Sequence, residues 1–352
     1  MASPIRSLDL IDIKKLKSAY FVVFLLVCFR SKNLFVVLSL NIVLDLSITL
    51  LYLKLKSKIC KIPEVTNLKT LKSLDFDKVL YNTIPSSNML LPFLLGFDGK
   101  KHIYADLSKF LHTLIAGRSG KGKSNFINQI LQSLIYNQKG NLVLFLCDMK
   151  VVELCHDYAC FPMCRTFSDA DSLLTCVTNL RKEMQRRYDI LGQVLEGNKS
   201  YKKIEDYNLT HDPLPYAVLL IDEFADLSYI QDESLKTKIW TEIKWVLREG
   251  RAAGIIIMLA TQRPTKENIP ASIKGLCVSF MGFGTRDNNE SYYCGVKGSA
   301  NLPIGEFVVA GEGEEFDNTK LKSYHIKPDD KIYYHLYNNY NKKGRDKDEN
   351  II

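Results

Sequence analysis

The chain has 352 residues, of which 46% are hydrophobic and 24% charged, with a formal net charge of +8. Those proportions belong to an ordinary globular protein and exclude a disordered or fibrous chain, and the length holds one large α/β domain plus something smaller. The basic excess is compatible with nucleic acid or anionic lipid but selects neither, because much of it lies near the N-terminus.

Residues 19–29 (AYFVVFLLVCF) are uninterrupted by charge, and after Arg30-Ser31-Lys32-Asn33 a second apolar run, 34–53 (LFVVLSLNIVLDLSITLLYL), has the length needed to cross a hydrocarbon core. Lys14, Lys15 and Lys17 precede the pair and Lys54, Lys56, Lys58 and Lys61 follow it, with only Arg30 and Lys32 between. Positive-inside counting therefore puts both ends in the cytoplasm. A cleaved signal peptide is the first rival, but no small-residue cleavage site stands out and a second apolar run follows. A soluble amphipathic pair is the second, but neither run has a polar face of any width. The expectation is a membrane anchor over 1–58, with transmembrane helices at about 16–30 and 34–53, multi-pass in the cell membrane and carrying a cytoplasmic body. Asn41 and Asp45 fall on one face of the second helix, where a costly carboxylate is expected to meet a partner helix. A Lys-rich connector over 59–88 follows, helical or irregular.

From residue 89 onward the pattern is that of an α/β body. Met89–Leu95 and Lys101–Ala105 read as strands around a turn at Asp98-Gly99, and Thr113–Ala116 as a third strand. Residues 117–124 then read Gly117-Arg118-Ser119-Gly120-Lys121-Gly122-Lys123-Ser124, which fits the phosphate-binding P-loop G-x-x-x-x-G-K-[ST]. An apolar strand precedes it and a helical pattern over 124–137 follows, the context such a loop requires. Glycines let the backbone curl with its N–H groups inward, and the helix N-terminus adds partial positive charge. Lys123 is expected at the β- and γ-phosphates of ATP and the Ser124 hydroxyl at Mg²⁺.

Asn141–Cys147 is a buried strand ending at Asp148. Cys155, His156, Cys160 and Cys164 cluster just beyond it, but without a C-x-x-C pair or a second ligand pair they read as small buried hydrophobes before they read as zinc ligands. The nine cysteines of the chain are expected to be reduced. Ala170–Leu191 is helical and carries Arg181, Arg186 and Arg187. Tyr216–Glu223 (YAVLLIDE) is a Walker B pattern, in which Asp222 is expected in the Mg²⁺ shell and Glu223 beside the attacking water. The helix Lys236–Arg251, closed by Gly254, leads to a strand Ile255–Ala260 that ends at Thr261-Gln262. Gln262 there could sense the γ-phosphate through its neutral amide. Val278–Phe283 is a last strand. Alternating strands and helices predict a mostly parallel sheet covered on both faces, with the P-loop, Asp222-Glu223 and Thr261-Gln262 gathered at strand carboxyl ends. Ring ATPases add a positive charge from the next subunit, for which Arg248, Arg251, Arg263 and Arg286 are all open candidates. The expected catalytic domain covers 89–330, and 331–352 is a polar tail.

Several stretches go beyond a generic P-loop. HTLIAGRSGKGKS (112–124), CDMKVVEL (147–154), LRKEMQRRYDIL (180–191), LPYAVLLIDEFADL (214–227) and GRAAGIIIMLATQRPT (250–265) resemble, in order, motifs of the FtsK/SpoIIIE family of DNA-translocating ATPases, and IKGLCVSFMGFGTRDNNES (273–291) fits loosely. The resemblance covers about residues 90–325. It implies a RecA-like fold, a hexameric ring around DNA contacted largely without sequence preference, and ATPase roles for Lys123, Ser124, Asp222, Glu223 and Gln262. Where family members often carry D-S-R, this chain has Asp287-Asn288-Asn289-Glu290-Ser291. A compact membrane-anchored form of this kind resembles the coupling ATPases of conjugative elements, whose partners include relaxase and transfer-channel proteins. Chromosome or plasmid segregation, a secretion-type ATPase with protein cargo, and a non-enzymatic nucleotide-dependent scaffold are the alternatives. Whether the DNA is single- or double-stranded is left open.

Overall fold

A computed structural model describes residues 76–137, 142–150, 154–193, 201–311 and 316–326. The expected membrane hairpin, most of the connector and the tail lie outside the described residues. Among the described residues no helix is long and apolar enough to cross a membrane.

A ten-stranded sheet organises the chain. The strands are β1 (Pro92–Phe97), β2 (His102–Asp106), β3 (Thr113–Ala116), β4 (Leu142–Asp148), β5 (Cys164–Phe167), β6 (Tyr216–Asp222), β7 (Ile255–Thr261), β8 (Ser279–Phe283), β9 (Glu306–Ala310) and β10 (Thr319–Lys322), in the order β2-β1-β10-β9-β8-β3-β7-β6-β4-β5. From β8 to β5 the pairing is parallel; from β8 through β9, β10 and β1 to β2 it is antiparallel. The helices are α1 (Phe76–Asn82), α2 (Leu107–Phe110), α3 (Lys123–Tyr136), α4 (Leu154–Tyr158), α5 (Ala170–Gln193), α6 (Ile204–Asn208), α7 (Glu233–Glu249), α8 (Ala271–Lys274) and α9 (Asn288–Tyr293).

The continuous apolar runs of β6 and β7 are explained by burial on both faces. Alternate residues separate into two cores, as the two-residue period of a strand requires. Val218, Leu220, Ile256 and Met258 join Phe126, Ile130 and Leu134 of α3 on one face. Leu219, Ile221, Ile257 and Leu259 join Val177 and Leu180 of α5 and Ile239, Ile243 and Val246 of α7 on the other. The antiparallel wing completes the first core, and α1 packs there too, with Phe76, Val79 and Leu80 buried. Two polar side chains of α3 stitch it to the wing. Gln129 donates to the Leu94 carbonyl at 2.7 Å and accepts from the Tyr324 amide at 2.8 Å, and Asn125 accepts from the Ile326 amide at 2.9 Å. The P-loop helix is thereby hydrogen-bonded to the wing while its apolar face packs on the parallel strands.

Two boundaries differ from the sequence expectation for local reasons. Helix α7 begins three residues before Lys236 because the Asp232 carboxylate caps it, accepting from the amides of Ser234 and Leu235 at 2.9 and 3.0 Å. It ends at Gly250, where a Cβ would lie 2.5 Å from the Ile255 carbonyl oxygen, whereas Gly254 (φ +67°) forms the turn into β7. The wing strands β9 and β10 and the short edge strand β5 were not anticipated.

Candidate active site

Parallel register places the expected residues together. Ala116, the last residue of β3, pairs with Thr261 on β7, and Asp222 on β6 pairs with Asp148 on β4. Strand β7 lies between the P-loop strand and the Walker B strand, so Thr261 and Gln262 sit between the two motifs.

The P-loop itself is shaped by its glycines. At Gly120 (φ +74°) a Cβ would meet nothing within 4 Å, so the glycine is required for conformation and leaves open space at the tip of the loop. At Gly117 the reason is room, since a Cβ would lie 2.5 Å from Cβ of Phe283. Some loop amides hold the loop in place: Gly117 N–H donates to the Thr261 carbonyl at 3.2 Å and Arg118 N–H to the Gly284 carbonyl at 3.3 Å. The Lys121 ammonium turns away to the Leu302 carbonyl at 3.0 Å, so this residue can offer a phosphate its backbone rather than its charge. Among the described residues no hydrogen-bond acceptor takes the amides of Gly120, Gly122, Lys123 or Ser124. Those of Gly122, Lys123 and Ser124 are the unsatisfied N–H groups of a helix start, and with the loop amide of Gly120 they are completed by an anion. Ser119 lies exposed at the tip.

Lys123 is 3% exposed and its ammonium lies 2.6 Å from Asp222 Oδ1. Burying a lone ammonium is costly, so the carboxylate is the partner that makes its position tenable. Glu223 is also 3% exposed. Its backbone is left-handed (φ +55°, ψ +56°), which costs a non-glycine residue on the order of 1 kcal/mol. Its carboxylate accepts the Thr261 hydroxyl at 2.9 Å and the Gln262 amide at 3.0 and 3.2 Å. The side chain of Gln262 is half-buried at the same edge. Ser124 follows Lys123 in the first turn of α3. A hydroxyl and a carboxylate are the hard oxygen donors that Mg²⁺ takes, and free amides beside a buried lysine suit a polyphosphate, so the residues present fit both groups.

The four arginines divide. Arg263 and Arg286 follow β7 and β8 at the carboxyl end; Arg263 donates to the Tyr229 hydroxyl at 3.0 Å, and Arg286 pairs with Glu290 at 2.8 Å. Helix α7 runs back toward the start of β7, so Arg248 and Arg251 lie at the opposite end, Arg248 over the Trp245 ring. The cysteine cluster does not assemble: Cys155 donates to the Phe167 carbonyl at 3.3 Å, Cys160 to the Asp157 carbonyl at 3.7 Å, Cys164 is buried in β5, and His156 is exposed. Burial pushes the Cys155 and Cys164 thiols up, against the thiolate a metal needs. Among the described residues no group of three or more metal-ligating side chains forms.

Residues 82–266 match the model of the FtsK/SpoIIIE family. The chain belongs to the FtsK/SpoIIIE family. It is 34% identical over 225 residues to the DNA translocase FtsK of Treponema pallidum, a stretch covering 59% of this chain but 26% of that relative. The chain thus spans about a quarter of the length of that FtsK. Among solved structures, the pCW3 conjugation coupling protein TcpA, in its monomer form with ATPγS, superposes with a TM-score of 0.61 at 23% identity, covering 73% of this chain and 71% of TcpA. The cytoplasmic domain of the type VII secretion ATPase EccC from Thermomonospora curvata gives 0.58 at 20% identity, covering 80% of this chain and 34% of EccC. At these identities the likeness concerns the fold. The sequence places Thr261 at this edge, ahead of Gln262, but gives it no role; its hydroxyl on Glu223 and its carbonyl on the Gly117 amide supply one.

Proposed function

We propose that this chain is a membrane-anchored ATPase that moves DNA, working as a ring of six subunits in the conjugative transfer of a mobile element. The observation that carries the ATPase reading is the pairing of buried Lys123 with half-buried Asp222, with Glu223 beside it at the open end of a P-loop. The amides of Gly120, Gly122, Lys123 and Ser124 would bind the β-phosphate, and the Lys123 ammonium would exchange Asp222 for phosphate oxygen. Ser124 and Asp222 would hold Mg²⁺, which when bound neutralises phosphate charge. Glu223 orients and accepts a proton from the attacking water, and the Gln262 amide contacts the γ-phosphate.

DNA as cargo is supported by family membership and by the relatives named as DNA translocases. A role in conjugation is supported by the fold shared with a conjugation coupling protein. Anchoring rests on the two apolar runs at 19–29 and 34–53 with lysines on both flanks. Contacts to DNA are expected to run through backbone phosphates, so affinity should fall steeply with salt.

The test is ATP turnover by the purified full chain in detergent, with duplex DNA, single-stranded DNA, a cationic peptide or nothing added. Stimulation by DNA that Lys123→Ala abolishes supports the reading. Turnover indifferent to DNA contradicts it, and turnover raised by peptide alone would favour a protein cargo.

A further inference from the structure

We propose that Thr261 is a positioning residue that sets the resting place of the Glu223 carboxylate and ties it to the P-loop. The inference rests on the ATPase reading above. It begins with topology: β7 is inserted between β3 and β6, so the last residue of β7 faces one Walker motif on each side. Thr261 is fully buried and uses two groups there, in three hydrogen bonds. Its carbonyl accepts the amide of Gly117, the first residue of the P-loop, at 3.2 Å. Its hydroxyl donates to Glu223 Oε1 at 2.9 Å and accepts the Arg263 amide at 3.1 Å. The next amide, that of Gln262, donates to both Glu223 oxygens.

The consequence is mechanical. A carboxylate held by a hydroxyl and an amide from the same two residues cannot move without them. When the Gln262 side chain turns toward a γ-phosphate its backbone N–H shifts with it, and the Thr261 hydroxyl becomes the fixed point about which Glu223 swings toward the water. A valine of the same shape keeps the packing and the Gly117 contact but removes the hydroxyl, leaving Glu223 with only the amide that moves. The loss should fall on the chemical step, because nothing that binds nucleotide is removed, whereas a merely structural role would lower stability and nucleotide affinity together.

The experiment compares the full chain with Thr261→Val and Thr261→Ser, measuring DNA-stimulated turnover, the KM for ATP and the equilibrium affinity for a fluorescent ATP analogue. A positioned general base is worth about 10²–10⁴-fold, so loss of its guide should lower kcat by about 10–100-fold with KM and analogue affinity within about threefold. Thr261→Ser should restore most of that rate. Thr261→Val turning over within about twofold of the parent overturns the inference while leaving the ATPase reading intact. So does a serine variant as slow as the valine one, at unchanged analogue affinity. No turnover by the parent overturns the ATPase reading, and this inference falls with it.

Discussion

The two ends of the parallel sheet bury polar side chains in equal earnest but to different effect. At the carboxyl end, Lys123, Asp222, Glu223 and Thr261 are satisfied by one another, and unclaimed helix amides stand beside them. At the amino end the fold itself supplies the partners of Arg187 and of one His112 nitrogen, while His112 Nε2 is buried without a hydrogen-bond partner among the described residues. Arg187, 1% exposed, gives Nε to Glu183 at 2.7 Å and a terminal nitrogen to the Ala253 carbonyl at 2.8 Å, bracing α5 against the entry to β7. His112, just before β3, accepts the Ile257 amide on Nδ1 at 3.0 Å, so that nitrogen carries no proton. Burial first, and then the nearby Arg251 charge, push its pKa down to about 4. A polar group can thus be buried to be exchanged or buried to be kept, and the difference lies in whether its partners can be replaced by a ligand.

The sharpest way to test that contrast is to alter one group at each end. Glu223→Gln should lower ATP turnover by about 10²–10⁴-fold while nucleotide affinity, read by fluorescence titration, holds. Equal loss of affinity would place Glu223 among the binding groups instead. Arg187→Ala should leave that affinity intact in the folded protein but destabilise it by about 3–5 kcal/mol, because Glu183 and the Ala253 carbonyl lose a buried charged partner; urea unfolding measures this.

The His112 effect is smaller and depends on pH. Its folded pKa lies below the unfolded value of 6.5, so between about 4 and 6.5 the unfolded chain binds more protons. Stability is therefore lost as pH falls through that window, by on the order of 2 kcal/mol from about pH 7.5 to about pH 5. His112→Asn, which keeps an acceptor for the Ile257 amide, should flatten that part of the urea profile; an unchanged slope would count against a neutral buried imidazole. The smallest effect is expected at the surface, where the Arg286–Glu290 pair is exposed on the arginine side. Arg286→Ala should leave the urea unfolding midpoint almost unchanged. A large fall in DNA-stimulated turnover with that small stability change would single out Arg286 as the arginine acting across subunits.

The gathering of residues at the carboxyl end was largely legible because it is carried by short contiguous motifs. Glycine spacing at 117–122 and an apolar run ending in Asp222-Glu223 allow few other backbones. The central strands were legible because burial on both faces makes them continuously apolar. The antiparallel wing was not. In β10 (TKLK) a single buried residue, Leu321, sits among polar neighbours, and its pairing with β9 and β1 is decided by distant residues. Arg187 could not be told from Arg186 by sequence, since they are adjacent on one helix and only packing buries one of them. The part played by Thr261 was illegible for a similar reason: a threonine ending a strand shows no partner until β7 is seen to lie between both Walker strands.

The central claim, that hydrolysis at the carboxyl end moves DNA, is tested most directly by displacement of a labelled third strand from a triplex by the full chain. The expected result is ATP-dependent displacement at a distance from the loading site, absent with the non-hydrolysable analogue and in Glu223→Gln. Robust DNA-stimulated hydrolysis with no strand displaced would contradict it.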